Sequence, residues 1–128
     1  MICMREIKFR AWDKKENKMF QVFSITLNED GTLRYVFYWD RYPMLKDKDV
    51  ELMQWTGLQD TNGQDIYEGD IIQFRISTIN GNLAPPHIFE VINKKGCFKA
   101  GHKHFSQFNC YDIIEVIGNK FENPELLK

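Results

Sequence analysis

The stretch Arg5-Glu6-Ile7-Lys8-Phe9-Arg10-Ala11-Trp12 alternates without a break, with Ile7, Phe9 and Ala11 on one side and Glu6, Lys8 and Arg10 on the other. A period of two marks an extended strand with one face buried, because successive side chains of a pleated backbone point to opposite faces. The same period returns in Lys18 to Ile25, which sets Phe20 and Val22 against Met19, Phe23 and Ile25. Asn28-Glu29-Asp30-Gly31 then supplies residues that tolerate positive φ, so a hairpin turn is expected there. The returning segment Thr32 to Trp39 aligns Leu33, Tyr35, Phe37 and Trp39, and this aromatic row is expected to hold the core of the first half.

Asp40 to Asp49, with Pro43 and alternating Lys and Asp, reads as a surface connection before another strand over Val50 to Thr56. Gly57 to Gly69 contains Asn62-Gly63, a tight-turn signal, so the chain is expected to turn there. Alternation resumes in Gly69 to Ile76, where Ile72, Phe74 and Ile76 oppose Gln73 and Arg75. Ser77 to Pro86 carries Asn80-Gly81 and Pro85-Pro86, which cannot continue a central strand, because proline has no amide to donate; a long hairpin loop is expected. Three more strands follow, over His87 to Asn93, Cys97 to His104 and Ile113 to Gly118, and Asn123-Pro124 is placed to open a single helical turn.

Helical periodicity is scarce, so the expected fold is mainly β. An antiparallel sheet over about residues 1–58 precedes a small SH3-like barrel over about 59–128, since closing a sheet removes its exposed edges. No repeat or Ser/Gly linker divides the 128 residues, and a chain of this size buries roughly two thirds of the surface it exposes unfolded, enough for one domain with its own core. Seventeen basic against eighteen acidic residues exclude a protein that binds nucleic acid through its whole surface and leave room for a local patch. No apolar run reaches the length of a membrane span, and Arg5, Glu6 and Lys8 stand where a secretory peptide would be apolar, so an intracellular protein is expected. Cys3, Cys97 and Cys110 are sparse and odd in number, which fits reduced thiols.

Four blocks carry a resemblance: Met4 to Asp13 (MREIKFRAWD), Met53 to Asp60 (MQWTGLQD), Gly63 to Ile72 (GQDIYEGDII) and Ile114 to Leu127 (IEVIGNKFENPELL). Present in this order, they resemble the YopX family of phage and prophage proteins. Residues 77–112 carry none of the resemblance. It implies a small β-rich protein of the bacterial host cytoplasm with no assigned catalytic residue, and hence no active site to carry over. It further implies a homo-oligomer, and a typical start at Met4 with Met1 to Cys3 as an extension. The expected function is that of a non-enzymatic accessory protein that binds itself or another macromolecule.

The residues themselves offer four further candidates. Cys97, His102, His104 and Cys110 are soft metal ligands, but their spacing matches no zinc knuckle or ribbon, and no metal or cofactor is expected. Asp65, Glu68 and Asp70 are close enough for paired-carboxylate chemistry. Their position around Gly69 at the entrance to a strand fits acids that accept backbone amides in a turn. Lys94, Lys95, Lys99 and Lys103, interleaved with Phe98, Phe105 and Phe108, form an acid-free region suited to phosphates and stacked bases; the bland counterpart is a solvated hairpin whose phenylalanines turn inward. Tyr38, Trp39, Arg41 and Tyr42 combine residue types enriched at protein interfaces, so residues 35–45 are expected to contribute to self-association. Ser24, Ser77 and Ser106 lack a nucleophile context, and no enzyme is expected.

Overall fold

The structure, a computed structural model, describes residues 6–38, 44–76 and 85–101, the backbone of 103–104, and residues 112–127. It is built of antiparallel strands, and every long-range ladder among the described residues is antiparallel. The chain separates into two compact units, Met1–Gln54 and Trp55–Lys128.

In the first unit, β1 (Phe9–Asp13) lies between β2 (Lys18–Gln21) and the first half of β6 (Val50–Gln59), with Ala11 opposite Phe20 on one side and Leu52 on the other. The expected alternation holds in β1: Ala11 is fully buried, although Ile7, ahead of the strand, is 67% exposed. A second sheet runs β3 (Ser24–Leu27), β4 (Leu33–Phe37), β5 (Met44–Lys46). The single strand expected over Lys18 to Ile25 is therefore two strands in two sheets. The backbone divides its bonds at Val22 and Phe23, whose amides donate to Phe9 O and Phe37 O respectively. The stretch read as a surface connection likewise contains β5, because Leu45 is buried opposite Val36.

The aromatic row of β4 does not form the core. Thr26 pairs with Tyr35 but Leu27 pairs with Leu33, so Arg34 is an extra residue, a β-bulge. One inserted residue reverses the side on which all later residues fall. Leu33 and Val36 consequently share the buried face, with Ala11, Leu45 and Val50. Tyr35 and Phe37, in edge-to-face contact at 5.6 Å, stand on the opposite face beside Met44, the cross-strand neighbour of Phe37. Trp39, the last member of the row, lies outside the described residues.

In the second unit, the remainder of β6 pairs with β7 (Asp65–Tyr67), a short strand inside the segment read only as a turn. Next comes a five-stranded sheet ordered β11 (Lys103–His104), β10 (Cys97–Ala100), β9 (His87–Lys94), β8 (Asp70–Arg75), β12 (Ile113–Asn119). The barrel expected over this half is realised as a sheet that curls into a half-barrel. Its core is Ile66, Ile72, Val91 and Ala100, with Phe89, Phe98, Ile114 and Val116 packed against them. Most of the loop expected over Ser77 to Pro86, and the segment 105–111, fall outside the described residues.

The end of β12 is locked by side chains. Asn119 is buried; its Oδ1 accepts the amides of Phe121 and Glu122, its Nδ2 donates to Glu122 Oε1, and its own amide donates to Asn123 Oδ1. The helical turn expected after Asn123 is a 3-10 turn at Pro124–Leu127. Gly118 is required by packing: a Cβ there would lie within 3.0 Å of Oδ1, Cγ and Cβ of Asn123. Gly118→Ala should displace Asn123 and lower stability by about 1–3 kcal/mol, the usual cost of an overpacked site. A urea midpoint equal to wild type would show that the turn repacks freely.

Candidate functional site

Of the three carboxylates around Gly69, Asp70 is spent on the backbone. Asp70 is 1% exposed and its Oδ2 accepts the amide of Tyr67 at 2.8 Å. Gly69 between them adopts φ +88°, a conformation costly for residues with a Cβ; its amide donates to Val91 O and its carbonyl accepts from Lys120. Asp65 accepts from Gln59 Nε2 at 3.2 Å, and Glu68 is half-buried. The group is a strand-entry turn joined to β9 and to the end of β12.

Two further buried acids escaped the sequence reading. Asp60 Oδ1 accepts the amides of Asn62 and Gln64 at 2.9 Å each, and its Oδ2 accepts the amide of Val116 at 3.0 Å, so one side chain closes the β6–β7 turn and ties it to β12 at the bulge there. Asp13, 2% exposed, accepts the amides of Lys15 and Glu16 on Oδ1 and the hydroxyl of Tyr38 on Oδ2 at 2.7 Å. An acid two residues ahead of Asn62-Gly63, and one directly ahead of the run Lys14-Lys15-Glu16-Asn17 that closes a hairpin, were the available signals.

Tyr38 thus serves the first unit internally. It is half-buried, its ring meets Phe20 edge to face with centroids 3.7 Å apart, and Lys18 Nζ sits 5.1 Å above it. Burial and the adjacent Asp13 carboxylate push its hydroxyl well above the ordinary range. At Asp13, desolvation favours the neutral acid. The Tyr38 hydroxyl, the two amides and the Lys18 charge outweigh it and hold the carboxyl below its usual value. Trp39, Arg41 and Tyr42 lie outside the described residues.

The basic hairpin turns tightly at Lys95 (φ +54°) and Gly96 (φ +79°), two successive positive values of the kind that match strand twist in a two-residue turn. Lys94 and Lys95 are exposed and Lys99 is half-buried. Alternation along β10 places Lys99 on the face opposite Phe98 and Ala100, and Phe98 packs into the core, leaving it no free ring for a base. Cys97 is an exposed free thiol. His102, Phe105, Phe108 and Cys110 lie outside the described residues, as do the side chains of Lys103 and His104; no group of three or more His, Cys, Asp or Glu arranged for a metal occurs among the described residues.

Several large apolar side chains of the first unit stand open to solvent. Phe23 is 60% exposed, Leu27 56% and Met44 46%. An open groove of about 240 Å³ borders the start of β3, lined in part by Ile7, Phe9, Val22, Phe23 and Ile25. No helix among the described residues is long and apolar enough to cross a membrane.

Antiparallel units whose buried acids brace turns, with apolar side chains left at a sheet margin, define an all-β protein. The chain belongs to the YopX family, described as YopX protein, which matches residues 8–128. It is similar in structure to protein EF1440 from Enterococcus faecalis, with 26% identity, a TM-score of 0.71, and coverage of 96% of this chain and 99% of that one. A second similar fold is protein yopX from Bacillus subtilis, with 20% identity, a TM-score of 0.68, and coverage of 94% and 98%. No curated protein matches the chain.

Because the carboxyl of Asp13 titrates lower folded than unfolded, it adds stability above its unfolded value of 3.8 and loses that stability as pH falls through the folded value. Asp13→Asn should therefore lower stability at pH 7 and flatten the acid limb of the pH–stability curve. Tyr38→Phe should cost about 1–3 kcal/mol at neutral pH, since it removes one donor from a buried charge. Urea midpoints between pH 2 and pH 7 measure both; an unchanged acid limb in Asp13→Asn would remove this carboxylate as a source of acid sensitivity.

Proposed function

We propose that the protein is a non-enzymatic phage or prophage accessory protein of the bacterial host cytoplasm that works by association, with copies of itself or with another protein. The observation that carries this reading is the outer face and margin of the β3–β4–β5 sheet. There the bulge at Arg34 turns Tyr35 and Phe37 away from the core, next to exposed Met44, and Phe23 and Leu27 stand open at the sheet's end. Clustered exposed apolar side chains mark interaction surfaces; Leu58, Ile76, Ile88, Ile92 and Leu127 of the second unit are exposed as well, at 37–45%. Tyr35, Phe37 and Met44 fall within residues 35–45, whereas Phe23 and Leu27 bracket β3. The buried acids Asp13, Asp60 and Asp70 support the non-enzymatic reading, since each accepts backbone amides that would otherwise be unpaired.

A second reading, a nucleic-acid contact, draws on exposed Lys94 and Lys95 at the tip of the β9–β10 turn with Lys99 on the outer face. Such binding would weaken steeply with salt.

Light scattering at micromolar concentration should give a mass that is a multiple of 15.3 kDa. A mass of one chain would defeat self-association. Replacing Lys95, Lys99 and Lys103 together by Ala should leave that mass unchanged while abolishing any salt-sensitive binding to single-stranded DNA. Loss of association in this variant would move the contact surface to the hairpin.

A further inference from the structure

Strand β3 is the terminal strand of its sheet, so one of its edges carries backbone amides and carbonyls with no ladder partner among the described residues. Proteins ordinarily protect such edges with charge, proline or a bulge. Other terminal strands of this chain show these devices: β2 begins at Lys18, β5 ends at Lys46 before Asp47-Lys48-Asp49, β11 is Lys103-His104, and β12 carries a bulge between Val116 and Gly118. β3 shows none. From Phe20 to Leu27 the chain has no charged residue, proline or glycine, and the bulge beside β3 belongs to β4, so β3 itself remains regular.

The sequence of this edge is also self-complementary. Phe23-Ser24-Ile25-Thr26-Leu27 reads apolar, hydroxyl, apolar, hydroxyl, apolar in either direction. We infer that a second copy of this chain pairs antiparallel with β3 across a two-fold axis at Ile25. In that register Phe23 faces Leu27 of the second copy, Ser24 faces Thr26, and no like charges meet. A two-fold contact requires the same patch on both subunits, which a palindromic strand satisfies by itself. Absence of charge excludes the repulsion that would drive identical edges away from each other, and aromatic–aliphatic and hydroxyl pairs are favourable across strands.

The pairing accounts for three exposures together. Leu27 follows Ile25 by two residues in β3 and so shares the face that packs on the first core, and Phe23 directly precedes the strand, yet they are 56% and 60% exposed in the single chain. The groove lined by Ile7, Phe9 and Val22 lies beside Phe23, the position that Leu27 of the second copy would occupy. Joined in this way, two three-stranded sheets become one of six strands, and the faces bearing Tyr35 and Phe37 become continuous. This inference rests on the self-association reading and names its contact.

Thr26 sits on the outer face opposite Tyr35, away from the core, so a charge there tests the edge without opening the interior. Thr26→Lys should halve the light-scattering mass with an unchanged circular dichroism spectrum, whereas Thr26→Val should keep the wild-type mass. Mixing Ser24→Cys with Thr26→Cys protein should give a disulfide between positions 24 and 26 of different chains, identified by peptide mass, because directly opposed residues bring their Cα atoms within disulfide range. A wild-type mass of one chain would overturn both this pairing and the self-association reading. An oligomer that withstands Thr26→Lys and forms no 24–26 disulfide would overturn the β3 pairing alone and leave association to another surface.

Discussion

A fold of short strands depends on how its turns satisfy the backbone. Every reversal leaves amides that no ladder partner reaches, and a buried amide without a partner costs as much as a lost hydrogen bond. Here the solution is a set of buried carboxylates and carboxamides. Asp13 closes the β1–β2 loop, Asp60 the β6–β7 turn, Asp70 the entry to β8, and Asn119 the exit from β12. Asp60 and Asn119 do more than close local turns, because Asp60 reaches the amide of Val116 at the β12 bulge while Asn119 fixes the segment after it. The described residues form no helix beyond a pair of 3-10 turns, so these side chains take over the positional work that caps and helix ends share in other folds.

The cost of this arrangement is electrostatic. A carboxylate that accepts two amides and a hydroxyl is stabilised in its charged form, which is why Asp13 is held below the ordinary range although burial alone would raise it. Tyr38 shows the other side of the same bond: its proton is shared with a buried anion and becomes harder to remove. The pair links the loop after β1 to the end of β4, positions separated by 25 residues in sequence, through one 2.7 Å contact.

Alternation made the strands legible wherever one face is buried and the register is unbroken. β1, β8 and β9 follow the pattern in Phe9 to Ala11, Ile72 to Phe74 and Phe89 to Val91. The turns at Asn28 to Gly31 and Asn62-Gly63 were legible too, because their residues tolerate the required dihedrals. Three kinds of feature were not. A change of sheet at Val22-Phe23 is marked only by two adjacent apolar residues that break the alternation, which does not distinguish one strand with two apolar faces from two strands, and the three-residue strands β5 and β7 are too short for a period to register. The bulge at Arg34 shifts the phase without any proline or glycine to announce it. Candidate sites followed the same division: the acids near Gly69 were readable as turn chemistry, whereas the long-range bonds of Asp13 and Asp60 to Tyr38 and Val116, partners 25 and 56 residues away, leave no local sign.

That single inserted residue has consequences beyond its own turn. Were β4 to run in phase from Leu33, Tyr35 and Phe37 would enter the first core and Val36 would face outward. The small volume between Ala11, Leu45 and Val50 accepts Val36, and two aromatic rings in its place would overfill it. The bulge therefore sorts side chains by size, sending the small β-branched residue in and the large rings out. The rings remain half-buried on the outer face, edge to face with each other and with the Arg34 guanidinium 5.7 Å from Tyr35, so their rotamers are already restrained. The bulge thus sets two half-buried aromatics on the outer face beside an uncharged edge strand, the arrangement that the proposed self-association requires.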